Sequence, residues 1–420
     1  VHPLHFLLGR IFSLLAPSSA LPFVLSTISA AAGALCISGV YLCARELGCR
    51  SSRSLLAASS LIPAQLFWSA GSQPGVYTLA AALLTAEIYV FCRIRNGRSR
   101  GDWRLLFALN GLSLANLPLA LLSLPVWVRM YWKSDSSRQA PFPTLIGFWF
   151  LGGLPFWGLL LGELLRSAEV GATLHSAFLF LHIPYDPPGQ EPRWVYSAVL
   201  LGSVLLSFPN LTLIQAFRGL RVQKTPLPLI SLLYLLIALF SSDLRASRLL
   251  LPLYPVLALL AALGWEQLSL SRLRQLAWVQ LSLLLLQPLL YLGLATGLNQ
   301  TPVMERFARH MPYRNDAEAL FLPWKLQERS AAKLGRECAR LKAGSVLIVQ
   351  DARAWYPILW ELQQAEKVDE LILLRPAQME EQLEALMDGI PSFWVPANSQ
   401  TEPVDGWFRN GQLWQALPLQ

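Results

Sequence analysis

The sequence has 420 residues, of which 54% are hydrophobic and only 14% charged, with a mean hydropathy of +0.42. Soluble domains carry charge on about a quarter of their residues, so a wholly water-soluble protein is excluded and the apolar excess must face lipid. The net charge of +8 does not point to nucleic acid, because Lys and Arg concentrate in short loops between apolar runs, the pattern that orients membrane proteins.

The first dozen residues form a short amphipathic piece. Apolar runs approaching the roughly 20 residues that cross a bilayer follow at 21–44, 54–70, 76–93, 103–128, 144–165, 195–217, 226–241, 247–265 and 276–298. They predict an all-α polytopic membrane domain over residues 1–298. Within 103–128, the string GLSLANLPLALLSLP puts Asn116 and Pro118 mid-segment, where a helix breaks. That run is either one kinked span or a hairpin of two short helices.

Charge distinguishes the two. A hairpin leaves sixteen Lys and Arg on one face, from Arg45, Arg50 and Arg53 through to Arg272 and Arg274, and four on the other: Arg166, Arg193, Arg245 and Arg248. A single span would swap every later loop and erase the asymmetry, so the hairpin is expected, with the cation-rich face in the cytoplasm. Residues 299–420 then lie outside it as a separate domain.

Beyond residue 299 the chain becomes densely charged. A helical pattern over 316–341 precedes strand-like runs at 346–350, 371–375 and 392–396, separated by helical stretches at 354–365 and 377–388. Alternating strands and helices predict a small parallel α/β layer. No glycine-rich phosphate loop follows any of the strands, which excludes the usual nucleotide sites. Of five cysteines, Cys36, Cys43, Cys49 and Cys92 lie in or beside apolar runs and Cys338 stands alone in the tail, so no disulfide framework or metal set is indicated. The chain opens at Val1 inside a structured pattern, as expected of an alternative start or of a missing upstream segment.

Two loops on the cation-poor face carry most of its polar residues. The longer, about 166–194, contains His175, His182, Tyr185, Asp186, Glu191, Arg193 and Trp194; it reads either as a binding loop on a rigid scaffold or as a solvated connection. The shorter places Asp243, Arg245 and Arg248 before an apolar helix. Two cations at that boundary fit the phosphate of a lipid-linked donor, or pair with Asp243. Glu87 lies inside an apolar run and is expected to snorkel towards Arg93. Glu163, near an outer helix end, is ambiguous. The five histidines have no ligand spacing, there is no G-x-S-x-G elbow, and the scarcity of polar residues in the spans disfavours a transporter.

The order of short motifs resembles a family of multispanning GT-C type glycosyltransferases related to the transmembrane protein O-mannosyltransferases. The motifs are HPLHFLLGRIFSLL near the start, LIPAQLFWSAGSQPGVYTLAAAL at 61–83, GLSLANLP at 111–118, and LKAGSVLIVQDARAWYPILWELQQAEKVDELILL in the tail. The resemblance implies a GT-C membrane domain followed by a small α/β extracytoplasmic domain, in a bacterial inner membrane. It implies transfer of a sugar, mannose being the first expectation, from a polyprenyl-phosphate donor to a hydroxyl acceptor such as protein Ser or Thr. The general base and the cations that meet the departing phosphate would be protein groups, with a divalent cation as an optional addition. Arg245 and Arg248 match the expected phosphate contact, and Asn116, His182, Tyr185 and Arg193 an acceptor or donor loop.

There are departures. The family carries its catalytic carboxylate upstream of the Pro-Leu pair, where this sequence starts. Gly75 stands where relatives commonly have Glu, Leu117 where they have His, and only Asp351 remains of the acidic turn in the tail. Asp186 and Asp243 are the nearest stand-ins for the catalytic group. The alternative is a catalytically inactive GT-C-fold subunit that scaffolds a larger membrane complex through partner subunits.

Overall fold

The computed structural model describes residues 2–15, 21–73, 75–97, 102–134, 140–166, 170–171, 173, 193–221, 225–240, 248–298, 301, 321–322, 330–349, 352–374, 391–395, 407–410 and 413–416. The chain divides into two units, Val1–Leu289 and Leu290–Gln420.

In the first unit the helices are α1 (Pro3–Leu15), α2 (Leu21–Glu46), α3 (Ser51–Ser59), α4 (Gln65–Gly71), α5 (Tyr77–Arg95), α6 (Asp102–Asn116), α7 (Leu124–Trp132), α8 (Phe142–Gly152), α9 (Leu154–Arg166), α10 (Arg193–Ser207), α11 (Thr212–Leu220), α12 (Leu227–Phe240), α13 (Leu253–Glu266) and the start of α14 (Leu270–Leu298). Helix α1 buries Leu4 and His5 and leaves Phe6 and Leu15 exposed, 76% and 75%. Helices α2 and α5 run uninterrupted until glycines at positive φ, Gly48 (91°) and Gly97 (68°), turn the chain.

Among the described residues, α5, α14 and Phe23–Glu46 of α2 are each long and apolar enough to cross a bilayer alone. The number rises to as many as five if each of two bent pairs is one span: α8 with α9, at 70°, and Leu200–Ser207 with α11, at 109°. The apolar runs at 144–165 and 195–217 are therefore broken rather than straight, and the run at 54–70 divides between α3 and α4 around Pro63.

The hairpin expected at 103–128 is present. Helix α6 ends at Asn116, Pro118–Leu122 makes a 3-10 turn, and α7 returns. Trp103 at the start of α6 meets Tyr131 near the end of α7, ring centroids 5.4 Å apart, which a single span would hold a bilayer apart.

Hydrogen bonds also separate the two ends. At one end Arg53, only 4% exposed, pairs with Glu266 at 3.1 Å and donates to the carbonyls of Trp265 and Leu268. There too Asn96 Nδ2 donates to Glu46, and Gln267 to the Arg218 carbonyl. These turns all come from the cation-rich loops.

Glycine sets how closely the helices pack. A Cβ at Gly111 would overlap the Trp149 carbonyl oxygen, and one at Gly152 the Ala108 carbonyl oxygen, so α6 and α8 touch backbone to backbone. Gly219 against Leu260 and Gly264 against Gln215 do the same for α11 and α13. Lipid is as apolar as a leucine core, so close van der Waals contact at small residues, rather than exclusion of water, holds such pairs.

The second unit carries a sheet of order β2-β1-β3-β5-β4, from β1 (Val346–Val349), β2 (Ile372–Leu374), β3 (Ser392–Val395), β4 (Trp407–Asn410) and β5 (Leu413–Ala416). Strand β1 pairs in parallel with β2 and β3, as the sequence pattern predicts. Strands β4 and β5 add an antiparallel hairpin that the pattern reading does not anticipate. Helices α15 (Ser330–Ala339) and α16 (Ala352–Gln364) lie within the predicted 316–341 and overlap 354–365; the helix expected at 377–388 falls outside the described residues. Leu334, Cys338, Ile358 and Leu362 pack with Leu347, Val349 and Phe393 into this unit's core.

Replacing Gly111 or Gly264 by Ala should cost ~1–3 kcal/mol or more through overpacking, whereas Gly158→Ala, which meets nothing within 4 Å, should be neutral or slightly stabilising. Thermal unfolding of the detergent-solubilised variants separates the two classes. Burial pushes the Cys338 thiol up from 9.0 to about 12. Its contribution to stability is therefore complete below pH 9.0 and lost as pH rises towards 12. Maleimide at pH 8 should leave Cys338 unmodified in the folded full-length protein and label it after denaturation.

Candidate functional site

Opposite the Arg53–Glu266 end, the short connection between α4 and α5 gathers polar groups from four parts of the chain. Ser29 of α2 grips Gly75: its hydroxyl accepts from the Gly75 N–H at 3.1 Å and shares its proton between the carbonyls of Gly75 (3.0 Å) and Leu25 (3.1 Å). Asn116, at the last position of α6, donates from Nδ2 to the Val76 carbonyl at 2.9 Å. His2 Nδ1 lies 2.9 Å from the Asn116 carbonyl. Burial holds His2 below the ordinary imidazole value of 6.5, so near pH 7 it is neutral and its Nδ1–H donates. Arg248 closes the assembly, donating from Nη2 to Gln73 Oε1 at 2.8 Å.

The structure thus brings Asn116 and Arg248 to the same connection, Asn116 on the Val76 carbonyl and Arg248 on the Gln73 side chain. Asn116 is completely buried and its Oδ1 has no partner among the described residues, so it acts on the loop rather than on the surface. Arg193 opens α10. His182, Tyr185, Asp186, Asp243 and Arg245 lie outside the described residues. A Cβ at Gly75 would make only ordinary contacts, with Tyr77 at 3.8 Å and the Gln73 carbonyl at 3.9 Å. Glycine there is not demanded by space or by backbone conformation.

A second polar centre lies deeper. Glu87 is ten residues into α5 from Tyr77, about 15 Å along the helix axis. It does not snorkel towards Arg93 as expected: its side chain is fully buried and accepts four hydrogen bonds. Ser113 Oγ donates to Oε1 at 2.6 Å, and Trp127 Nε1 (2.6 Å), Ser123 Oγ (3.0 Å) and Asn110 Nδ2 (3.1 Å) donate to Oε2. Asn110 in turn accepts from Trp149 of α8. One carboxylate therefore ties α5 to both arms of the hairpin, which gains more than the solvation that snorkelling would recover. A cavity of about 10 Å³ beside it, bounded by Leu117, Tyr234 and Pro252 among others, has room for about one water.

The sequence does hold a signal for this network. Asn110 and Ser113 are three apart on α6, Ser123 and Trp127 four apart on the returning arm, so each pair shares a helix face. Among the described residues no group of three His, Cys, Asp or Glu is placed to hold a metal ion.

Residues 2–140 match the family model described as the protein O-mannosyl-transferase TMEM260 N-terminal domain. The fold matches two crystal structures of ArnT from Cupriavidus metallidurans. The one bound to undecaprenyl phosphate has a TM-score of 0.59 at 14% identity, covering 93% of this chain and 82% of that one. The one in the apo state has a TM-score of 0.61 at 13% identity, covering 93% and 81%. No curated protein matches the chain by sequence. The helices long and apolar enough to cross a bilayer make this an integral membrane protein.

Glu87→Ala should destabilise the membrane domain by ~1–3 kcal/mol. Ser113, Ser123 and Asn110 keep the carbonyls of Leu109 and Ala120 as second acceptors, so the Trp127 indole N–H bears most of the loss. Glu87→Gln should cost less, because an amide oxygen can take the three donors on the Oε2 side while Ser113 turns to Leu109. Equal melting points for the two variants in detergent would contradict this division.

Proposed function

We propose that this protein, of GT-C type fold and O-mannosyltransferase-like family, is a membrane glycosyltransferase that takes a sugar, mannose first among candidates, from a polyprenyl-phosphate carrier and passes it to a hydroxyl acceptor such as protein Ser or Thr. The observation that carries the reading is Arg248, fixed by Gln73 at the same end as the Asn116 turn, in a fold similar to a protein crystallised with undecaprenyl phosphate. The reaction runs on the extracytoplasmic face of a bacterial inner membrane, with the C-terminal domain on that face.

In the chemistry this requires, the acceptor oxygen attacks the anomeric carbon, the carbon–oxygen bond to the carrier phosphate breaks, and a general base removes the hydroxyl proton. Negative charge grows on the departing phosphate, where guanidinium groups at the lipid boundary stabilise it most in the transition state. Arg248 fills that role, with Arg245 beside it in sequence. Asp186 and Asp243 are the candidates for the base, and His182, Tyr185 and Arg193 for contacts to acceptor or sugar.

The competing reading is an inactive subunit of this fold that scaffolds a complex, favoured by Gly75 and Leu117 at positions where the resemblance leads one to expect Glu and His.

Transfer from a mannosyl polyprenyl-phosphate donor by membranes containing the full-length protein decides between them. The enzyme reading expects transfer, and a fall on the order of 100-fold in Arg245→Ala/Arg248→Ala. Undiminished transfer in that double variant would remove the phosphate assignment. No transfer by the unmodified protein, with a stable complex copurifying, would select the scaffold.

A further inference from the structure

We infer that Gln73 is a positioning residue that aims the Arg248 guanidinium at the phosphate of the lipid carrier, and that Ser29 and Asn116 serve it by fixing the loop on which it stands. The inference rests on the proposed phosphate contact and adds a specific residue to it.

The backbone is restrained close to both ends of the Gln73–Arg248 hydrogen bond. On the Gln73 side, Gly75 is held at both its N–H and its carbonyl by Ser29, and the Val76 carbonyl by Asn116. Ser29 and Asn116 are themselves completely buried, on two different helices. On the other side, the Arg248 carbonyl accepts from the Leu251 N–H in a short turn that runs directly into α13, whose residues Leu253 to Val256 are buried throughout. A side chain pinned at both ends of its contact loses little further freedom when a ligand arrives, which is how a binding group is preorganised.

The chemistry of the partner matters as much as its position. A guanidinium has five N–H donors in one plane, and occupying Nη2 with Gln73 Oε1 at 2.8 Å restrains how that plane can turn. An amide does this without contributing negative charge of its own. A carboxylate at position 73 would hold the same nitrogen and compete with phosphate for the same cation. Glutamine orients Arg248, whereas glutamate would oppose the ligand.

The test is the affinity of the purified full-length protein for undecaprenyl phosphate in detergent, with melting temperature measured alongside. Gln73→Ala and Gln73→Met should each weaken binding about tenfold, as expected for one lost orienting hydrogen bond to a charged group. Gln73→Glu should weaken it more than either, and all three should keep the melting temperature of the unmodified protein. In transfer assays the same variants should lower kcat as well as raise KM for the donor, because Arg248 meets charge that grows in the transition state. Arg248→Ala is the reference. If it weakens binding while the Gln73 variants do not, the inference about Gln73 is wrong and the phosphate reading stands. If Arg248→Ala binds normally, the phosphate reading falls and takes Gln73 with it. A loss of affinity in the Gln73 variants that tracks a fall in melting temperature would assign the residue to structure instead and overturn the inference.

Discussion

Inside a bilayer there is no water to complete a hydrogen bond, so every backbone N–H and C=O must find a partner in the protein. An unbroken helix meets that demand by itself. This chain repeatedly breaks its helices within apolar segments, and each break requires a side chain to stand in for the missing turn. Helix α14 supplies two of them, seven residues apart on one face and almost fully buried: Gln280 and Gln287. Gln287 donates to the carbonyls of Pro63 and Ser207, where α3 gives way to α4 and where α10 ends, and Gln280 accepts from the Leu211 N–H at the start of α11. Asn210, in the break itself, bonds to both glutamines.

The same demand shapes the hairpin and, through it, the candidate site. Glu87 holds the two arms of α6 and α7 against α5. With the arms fixed, Asn116 emerges at the top of α6 beside the connection that carries Gln73, and the connection reaches Arg248. Polar residues within the spans thus serve the architecture. They hold helix breaks in place, and the breaks bring loop residues distant in sequence to one end of the bundle. Glycine plays the complementary part, letting α6 meet α8 and α11 meet α13 at distances no other residue allows.

Much of this was legible in the sequence because the signals were compositional. Lipid-facing segments announce themselves by hydropathy, the hairpin by Asn116, Pro118 and the loop arginines, and the parallel strands by short β-branched runs between helical ones. What was missed required knowing which helices are neighbours. Glu87 seen alone is an expensive charge near an arginine. Only the packing of α5 on the hairpin shows four donors converging on it, although the spacing of Asn110 with Ser113 and of Ser123 with Trp127 was there to be read. Gln73 carried no signal, since its partner lies 175 residues away. The β4–β5 hairpin did have one: Gly411 stands between two aromatic-containing runs, and the pairing of Asn410 with Leu413 leaves two residues to join the strands. Its strands are four residues each, too short for alternation to stand out.

If this reading holds, a lipid-linked phosphate docks at the end of the bundle bearing Gln73, Asn116 and Arg248. An electron cryo-microscopy structure of the full-length protein in a lipid nanodisc with undecaprenyl phosphate tests it directly. Phosphate density is expected within hydrogen-bonding distance of the Arg248 guanidinium, at the end of the bundle opposite the Arg53–Glu266 pair. Phosphate density at the Arg53 end, with Arg248 making no contact to it, would place the donor on the other face and remove Arg248 from its site.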